Sequence, residues 1–549
     1  MAAHRIDPAE LERLFARNAL SRRQFIAGLT ALGVTAGGIE ALVGSAPTVA
    51  HAAAPRARYL VLIVLDAFRP DYMQMAPMPV VSALARSGVT YDRAWVGQIE
   101  SLSPAGHASL STGCMPKHTG VLGFEWRDPA TRKEALDGWS AEVLEGLLER
   151  DLRESGVDSI ALAVKESDRT AKVVAISSEK VYAADAIGGW AADYILYHRR
   201  DQQRSMLLPS AVPNHVPPAS FFARPGLEQK MPLSHFTDWD YLSTVLALAA
   251  IEEFRPRVLM VNFPGPDVYG HPYGGPATPA VFKQVVAGVD RNIGRIVQAY
   301  KDAGIYDQTV FVVTADHGMV PNARAVDGAL TRAVARRAGG DYLFHTGGTA
   351  AYIYQNNSGG ARAVAQAMAQ VPGVVGGYYL VESGNKHYYD RAPGVRIDPA
   401  LDAAYRFLLG TFVGPRAPDV VAPFRENTIG TKLSAAHGDH GGLNWGAQYV
   451  PLILSGPGVA TGVVSHYPAR LIDVAPTVLS LLGVAPRAMD GIILADALGN
   501  ATGQDVAVQQ SRWPSLLARQ TALLQQSADN IAEDTRSHLV PPASLPPRP

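Results

Sequence analysis

Thr309–Met319 reads TVFVVTADHGM. Val310 to Thr314 is an unbroken apolar or β-branched run, the pattern of a parallel strand covered on both faces, and beyond it stand an acid and an imidazole side by side, Asp316 and His317. In open α/β sheets, residues at the carboxyl ends of strands line the ligand crevice, so the pair is offered to a ligand together. One oxygen and one imidazole ligand suit a zinc-like divalent ion. A lone DHG triplet decides little, and its weight comes from other strand ends that finish with matching chemistry.

Arg58–Tyr72, RYLVLIVLDAFRPDY, is a second apolar strand, and it ends on Asp66. A carboxylate there needs a partner, for which a metal is one candidate and a turn-capping role the plainer one. A third strand, Val258 to Phe263, delivers Asp267, with His271 four residues on across a turn rich in Gly and Pro. Glu100–Gly113, ESLSPAGHASLSTG, reads as a loop feeding a helix with Ser103 close to its first turn. Free amides and the helix dipole favour an anion at such a point, and a serine beside a metal can act as a nucleophile. Unaided, Ser103 also reads as a simple N-cap. The chain returns at Ser434–Gly442, SAAHGDHGG, followed by an apolar strand from Tyr449 to Ser455.

The expected class is α/β, a mostly parallel central sheet with helices on both faces. Strand 258–263, an amphipathic helix from Val281 to Tyr300 and the strand at Thr309 form a right-handed βαβ unit. Helices are expected at Ala141 to Glu154 and Asp238 to Phe254, and a strand at Thr90 to Val96. Tyr197 to His235 lacks periodicity and reads as a long surface excursion over the site. Residues 320–430 read as an inserted α+β subdomain.

The 549 residues carry 47% hydrophobic side chains and a formal charge of -1, so no basic excess points to nucleic acid. Cys114 is the only cysteine, which excludes an internal disulfide and a cysteine-based metal cage. Ser21–Ile26, SRRQFI, is a twin-arginine pattern; an apolar stretch from Ala27 to about Val43 and the small-residue site Ala50-His51-Ala52 follow. Residues 1–52 are therefore expected to be a signal peptide that engages the twin-arginine export machinery and is cleaved, leaving an exported (periplasmic or extracellular) protein with no stable membrane anchor. A catalytic body is expected over 53–503. Over 504–549 the expectation is a peripheral helix and the disordered Pro-rich tail VPPASLPPRP.

The motifs LIVLDAFRPDY, SLSPAGHASLSTG, DVYGHPYGG, TADHGM and HGDHGGLNWGAQYVP resemble, in order, those of the alkaline phosphatase superfamily, nearest its type I phosphodiesterase/nucleotide pyrophosphatase branch. The resemblance implies two divalent metal ions, with zinc expected. Asp267, His271 and His440 would hold one; Asp66, Asp316, His317 and the Ser103 oxygen would hold the other. It further implies that Ser103 is phosphorylated and the phosphoserine then hydrolysed. His440 is preferred to His437 because it stands ten residues before Val450. The chain departs from the family in carrying PAGH where many relatives have FPNH, and Phe124 where they supply an Asn to a phosphate oxygen. Lys180 or Ser178, in SSEKVY, stands near a phosphate-contacting Lys of some relatives. These departures tilt the expectation toward diesters. The sulfatase formylglycine signature is missing, since Ala105 and His107 occupy the positions of its Pro and Arg. The expected function is a metal-dependent phosphoric ester hydrolase acting on a small-molecule phosphate ester. The alternatives are a phosphomonoesterase proper, a metal-bound homologue without catalysis, and a phosphotransferase.

Overall fold

The computed structural model describes residues 57–127 and 146–537, except 202–203, 209, 211, 228–229, 276–277, 340–341, 356–359, 384–385 and 431–436. The twin-arginine segment, the Pro-rich tail and residues 141–145 of the expected Ala141 to Glu154 helix lie outside the described residues. The described residues of 57–380 and 389–537 form one compact body, while those of 381–388 group separately.

Among the described residues, ten strands make the main sheet. In chain order they are β1 Tyr59–Leu65, β2 Gly88–Tyr91, β3 Val173–Ser178, β4 Tyr194–Asp201, β5 Arg204–Leu208, β6 Lys230–Pro232, β7 Val258–Phe263, β8 Thr309–Thr314, β9 Leu452–Ser455 and β10 Val463–Ser465. Their spatial order is β10-β2-β9-β8-β1-β7-β3-β4-β5-β6. The run β8-β1-β7-β3-β4 is parallel; β9 is antiparallel to both β8 and β2, and β5 and β6 are antiparallel additions at one end. The class is α/β with a large, mostly parallel central sheet flanked by helices.

Strand β1 sits at the centre because nothing in YLVLIVL is polar enough to face water. Leu60 to Val64 are wholly buried, and each such side chain contributes roughly 1.5–3 kcal/mol by leaving solvent. Its register sets the position of the site. Leu65 lies opposite Phe263 of β7, and Val64 opposite Thr314 of β8. Three parallel strands thus stop at one level, and the segments after them, bearing Asp66, Asp267 and Asp316, leave the sheet side by side.

Strands β7 and β8, joined by helix Pro279–Asp302, lie parallel in one sheet with β1 between them. One sequence expectation changes. Tyr197 to His235 is no free excursion, because β4, β5 and β6 extend the sheet there. Its charged and polar residues hid the pattern, as is common on edge strands, where charge discourages pairing with other chains. Helix Asp238–Phe254 has the bounds expected, and the strand expected at Thr90 to Val96 is the shorter β2.

Between residues 320 and 430 the chain forms a second sheet centred on Tyr342–Gly347, Ala350–Gln355 and Val420–Pro423, all antiparallel. Ile353, Val364, Met368 and Val420 form a hydrophobic cluster of their own there. Helix Gly503–Arg536 starts at a capping box in which Thr502 and Asp505 satisfy each other's backbone amides. No described helix is long and apolar enough to cross a membrane.

Candidate active site

Ser103 opens the helix Ser103–Thr112. Pro104 tolerates this position because a first-turn amide has no helical partner to lose, and Gly113, at φ 64°, ends the helix in the left-handed region. The helix lies directly on the end of β8: a Cβ at Gly106 would stand 2.5 Å from the Asp316 carbonyl oxygen, so only glycine permits the approach. The Ser103 hydroxyl therefore arrives beside the Asp-His pair. Two acceptors are within its reach, Asp66 Oδ1 at 3.3 Å and His317 Nε2 at 3.2 Å, and Lys180 Nζ donates to its Oγ at 3.2 Å.

Asp267 and His271 do not lie on a bare turn. They sit one helical turn apart on the helix Gly265–Tyr273, which aims both at the same point. His440 arrives from a loop whose Gly438–Asp439 pairs with Val320–Pro321, the segment just past the Asp-His pair. His440 is buried, with Nε2 3.0 Å from Asp267 Oδ1 and 3.2 Å from His271 Nε2. Its ring also stacks on His317, centroids 3.8 Å apart. His437 is exposed. All seven residues singled out in the sequence thus converge. Among the described residues, three groupings have ligand atoms close enough to share an ion: Asp267, His271 and His440; Asp66, Asp267 and His317; and Asp66, His107 and Asp316. The first is the set implied by the resemblance, while the other two divide the second set differently, one sharing Asp267 with the first and the other bringing in His107.

The candidate substrate-contact positions differ in their surroundings. Lys180 Nζ is buried and donates to Asp66 Oδ1 at 2.9 Å and Asp267 Oδ2 at 2.6 Å, so it bridges the two acid groups. Ser178 turns away, its hydroxyl bonding Ser243 Oγ and the Trp239 carbonyl. Phe124 is nearly buried, and its ring meets Tyr182 edge-on at 4.8 Å.

Electrostatics follow from three buried carboxylates against one buried ammonium. Burial, reinforced by Asp316, pushes Asp66 up to about 7 against the pull of Lys180. Burial works against Asp267 too, but Lys180 and His271 hold it well below the ordinary carboxylate range. Asp316 is likewise held down by His317 and His107 despite its burial. Burial opposes the charge on Lys180, and Asp267 and Asp66 more than offset this. His271 is half-buried, which opposes its charge, yet Asp267 lifts it to about 9. His317 and His440 are lowered, burial being the main cause for both.

Sequence reasoning missed three residues. Asn262, a polar residue inside the apolar run of β7, donates to Asp66 Oδ2 at 3.1 Å and so leaves Oδ1 facing Ser103. His107 Nδ1 reaches the Ser103 carbonyl at 2.8 Å and Asp316 Oδ2 at 3.3 Å. Asp240 holds the start of the Asp267 helix. Asn262 was detectable as a lone amide in a buried strand; the other two carry no local pattern.

Residues 60–443 match the model of the family described as type I phosphodiesterase / nucleotide pyrophosphatase. The chain belongs to the type I phosphodiesterase/nucleotide pyrophosphatase family. Curated relatives include alkaline phosphatase PhoD of Zymomonas mobilis, 23% identical over 313 residues, covering 48% of this chain and 53% of the relative. Another is bis(5'-adenosyl)-triphosphatase ENPP4 of Bos taurus, 22% identical over 264 residues, covering 47% of each. The chain spans about half the length of the curated relatives it matches. Among solved structures, murine ENPP5 aligns with TM-score 0.56 at 16% identity, covering 80% of this chain and 100% of that one. Alkaline phosphatase PafA aligns with TM-score 0.63 at 16% identity, covering 81% and 100%. These likenesses show the shared fold. The matched region of the type I phosphodiesterase/nucleotide pyrophosphatase family runs from β1 to the His440 loop, so it contains every residue of the constellation.

Proposed function

We propose that the protein is an exported, metal-dependent phosphoric ester hydrolase that works through a phosphoserine at Ser103, with two divalent ions, zinc being the expected metal. The observation that carries this reading is the Ser103 hydroxyl, 3.2–3.3 Å from Asp66, His317 and Lys180 and flanked by two sets of candidate ligands.

The residues fit such ions. His271, His317 and His440 each turn Nδ1 to a backbone carbonyl, of Gly438, Gly318 and Ser101 respectively. A carbonyl only accepts, so Nδ1 carries the proton and Nε2 points inward, the usual arrangement of metal-ligating histidines. Asp267 Oδ1 and Asp316 Oδ2 are buried without a conventional hydrogen bond, and imidazole Nε2 atoms stand 3.0–3.5 Å from them. Lone pairs aimed at carboxylate oxygens suit a cation between them. One ion would be held by Asp267, His271 and His440, the other by Asp66, Asp316, His317 and Ser103. Bound there, divalent ions would supply Lewis-acid stabilisation of the charge on the phosphoryl oxygens and lower the pKa of the nucleophile.

The chain's own groups perform the remainder. Asn262 keeps Asp66 in place, and the proton Ser103 loses is balanced by the one the ester oxygen takes up from solvent as Oγ bonds to phosphorus and that oxygen departs with its alcohol. Water then displaces Ser103 Oγ and regenerates the serine. Lys180 lies where it offsets negative charge developing at Oγ. The Phe124–Tyr182 pair lies beside Lys180, whose Nζ is 5.9 Å from the Tyr182 ring centre. An apolar wall favours a phosphodiester, which brings an organic substituent and one negative charge, over a doubly charged monoester. ENPP4 relatives are named triphosphatases of a dinucleotide, and a murine ENPP5 structure holds AMP, which suits the same preference. Lys180 itself and the likeness to PhoD and PafA favour the second reading, a phosphomonoesterase.

Hydrolysis of nitrophenyl phosphodiesters and monoesters, with elemental analysis of the purified protein, tests both readings. Ser103→Ala is expected to lower the rate on the order of 10³-fold or more, and a chelator to abolish it. Near-normal turnover by Ser103→Ala would refute the covalent role. A monoester rate above the diester rate would favour the phosphatase.

A further inference from the structure

The helix Gly265–Tyr273 carries two of the candidate ligands, so whatever fixes its first turn fixes them. Pro264 and Pro266 have no N–H, so the free amides of this end belong to Gly265 and Asp267, and a side chain holds the first of them. Asp240 holds it. It stands in the first turn of Asp238–Phe254, is wholly buried, and accepts the Gly265 N–H through Oδ1 at 2.7 Å. The two residues are fitted to each other. A Cβ on Gly265 would lie 2.4 Å from Asp240 Oδ2 and 2.8 Å from its carboxyl carbon and Oδ1, so a side chain here would push the carboxyl away. Oδ2 is buried and accepts no hydrogen bond. A carboxyl kept in such a place, when an apolar residue would be cheaper to bury, argues for a positional duty.

We propose that Asp240 is a positioning residue that, through the Gly265 amide, sets the entry of the Gly265–Tyr273 helix and thereby the convergence of Asp267 and His271 with His440. It does not touch the reacting atoms. The proposal rests on the reading of Asp267, His271 and His440 as holding one divalent ion.

Zn²⁺ and Co²⁺ titrations of the full chain against a competing chelator, with the Co²⁺ ligand-field absorption as a geometric signature, provide the test. Two binding steps are expected for the natural chain; if it bound neither ion, the metal reading itself would fall, independently of Asp240. Given binding, Asp240→Ala is expected to weaken one of the two steps by roughly 10–100-fold and to alter one Co²⁺ spectrum, leaving the other step within about threefold. Asp240→Asn, which retains an acceptor for the Gly265 N–H, is expected to restore both. Should Asp240→Ala fail to fold, Gly265→Ala disturbs the same contact from the other side and is expected to weaken the same step. Unchanged affinities and spectra in a folded Asp240→Ala or Gly265→Ala protein would overturn the proposal. So would equal weakening of both steps, the mark of general destabilisation.

Discussion

Asp66 should make the metal-free chain lose stability as pH rises. Its carboxyl is wholly buried and is raised from 3.8 to about 7, burial being the largest cause and Asp316 the next. Between those two values the folded chain binds a proton that the unfolded chain has released, so the slope of stability against pH is negative there. Below about pH 4 both states are protonated and the effect vanishes; above about pH 7 it is complete. The shift of about 3 pH units corresponds to roughly 4 kcal/mol. Asp267 and Asp316 are held down and act oppositely, but their contribution is in place above the ordinary carboxylate range and is lost only on stronger acidification. His271, His317 and His440 also titrate across this range, so the Asp66 share is read as the difference between the natural chain and Asp66→Asn in urea denaturation of chelator-treated protein at pH 5 and pH 8. Asp66→Asn keeps an acceptor for Asn262 and removes the ionisation, so it should flatten the dependence and leave the variant more stable than the natural chain at pH 8. An Asp66→Asn protein with the original slope would refute the reasoning, because burial at this position would then not govern the titration.

Two further outcomes test single residues of the site. His440→Ala is expected to cost one bound ion by elemental analysis, while His437→Ala, at an exposed position, keeps both. Lys180→Met removes an ammonium bonded to Asp66, Asp267 and Ser103 together, a charge-assisted set worth about 1.5–3 kcal/mol per bond. Its diester hydrolysis should slow on the order of 10²-fold. Its metal-free form should lose about 3–5 kcal/mol in denaturant melts, because two buried carboxylates are left without their cation.

What was legible in the sequence was what a strand or helix period can encode. β1, β7 and β8 are read from continuous apolar runs because both faces of each strand are covered, and the acid just past each run marks the level where they stop. The end of the sheet beyond the parallel run is different in kind. β5 and β6 take their place by hydrogen bonding to β4 and to each other, a pairing that writes no apolar period into the sequence, so Tyr197 to His235 read as loop.

The site divides along the same line. Asp66, Asp316 and His317 follow strand ends and were visible; Asp267 and His271 were visible as a pair, though their helix was mistaken for a turn because three prolines and three glycines crowd Pro264–Gly274. Asp240, His107 and Asn262 act by touching backbone or carboxylate far away in sequence: Asp240 meets Gly265 over 25 positions and Asn262 meets Asp66 over 196. No local spacing can announce such a contact. A buried polar residue does announce that some partner exists, since leaving it unpaired costs more than the bond returns. Asn262 within VLMVNF is therefore a general lesson: in a strand that must be buried on both faces, the one amide marks a neighbour that needs it, and here that neighbour is the carboxylate beside the nucleophile.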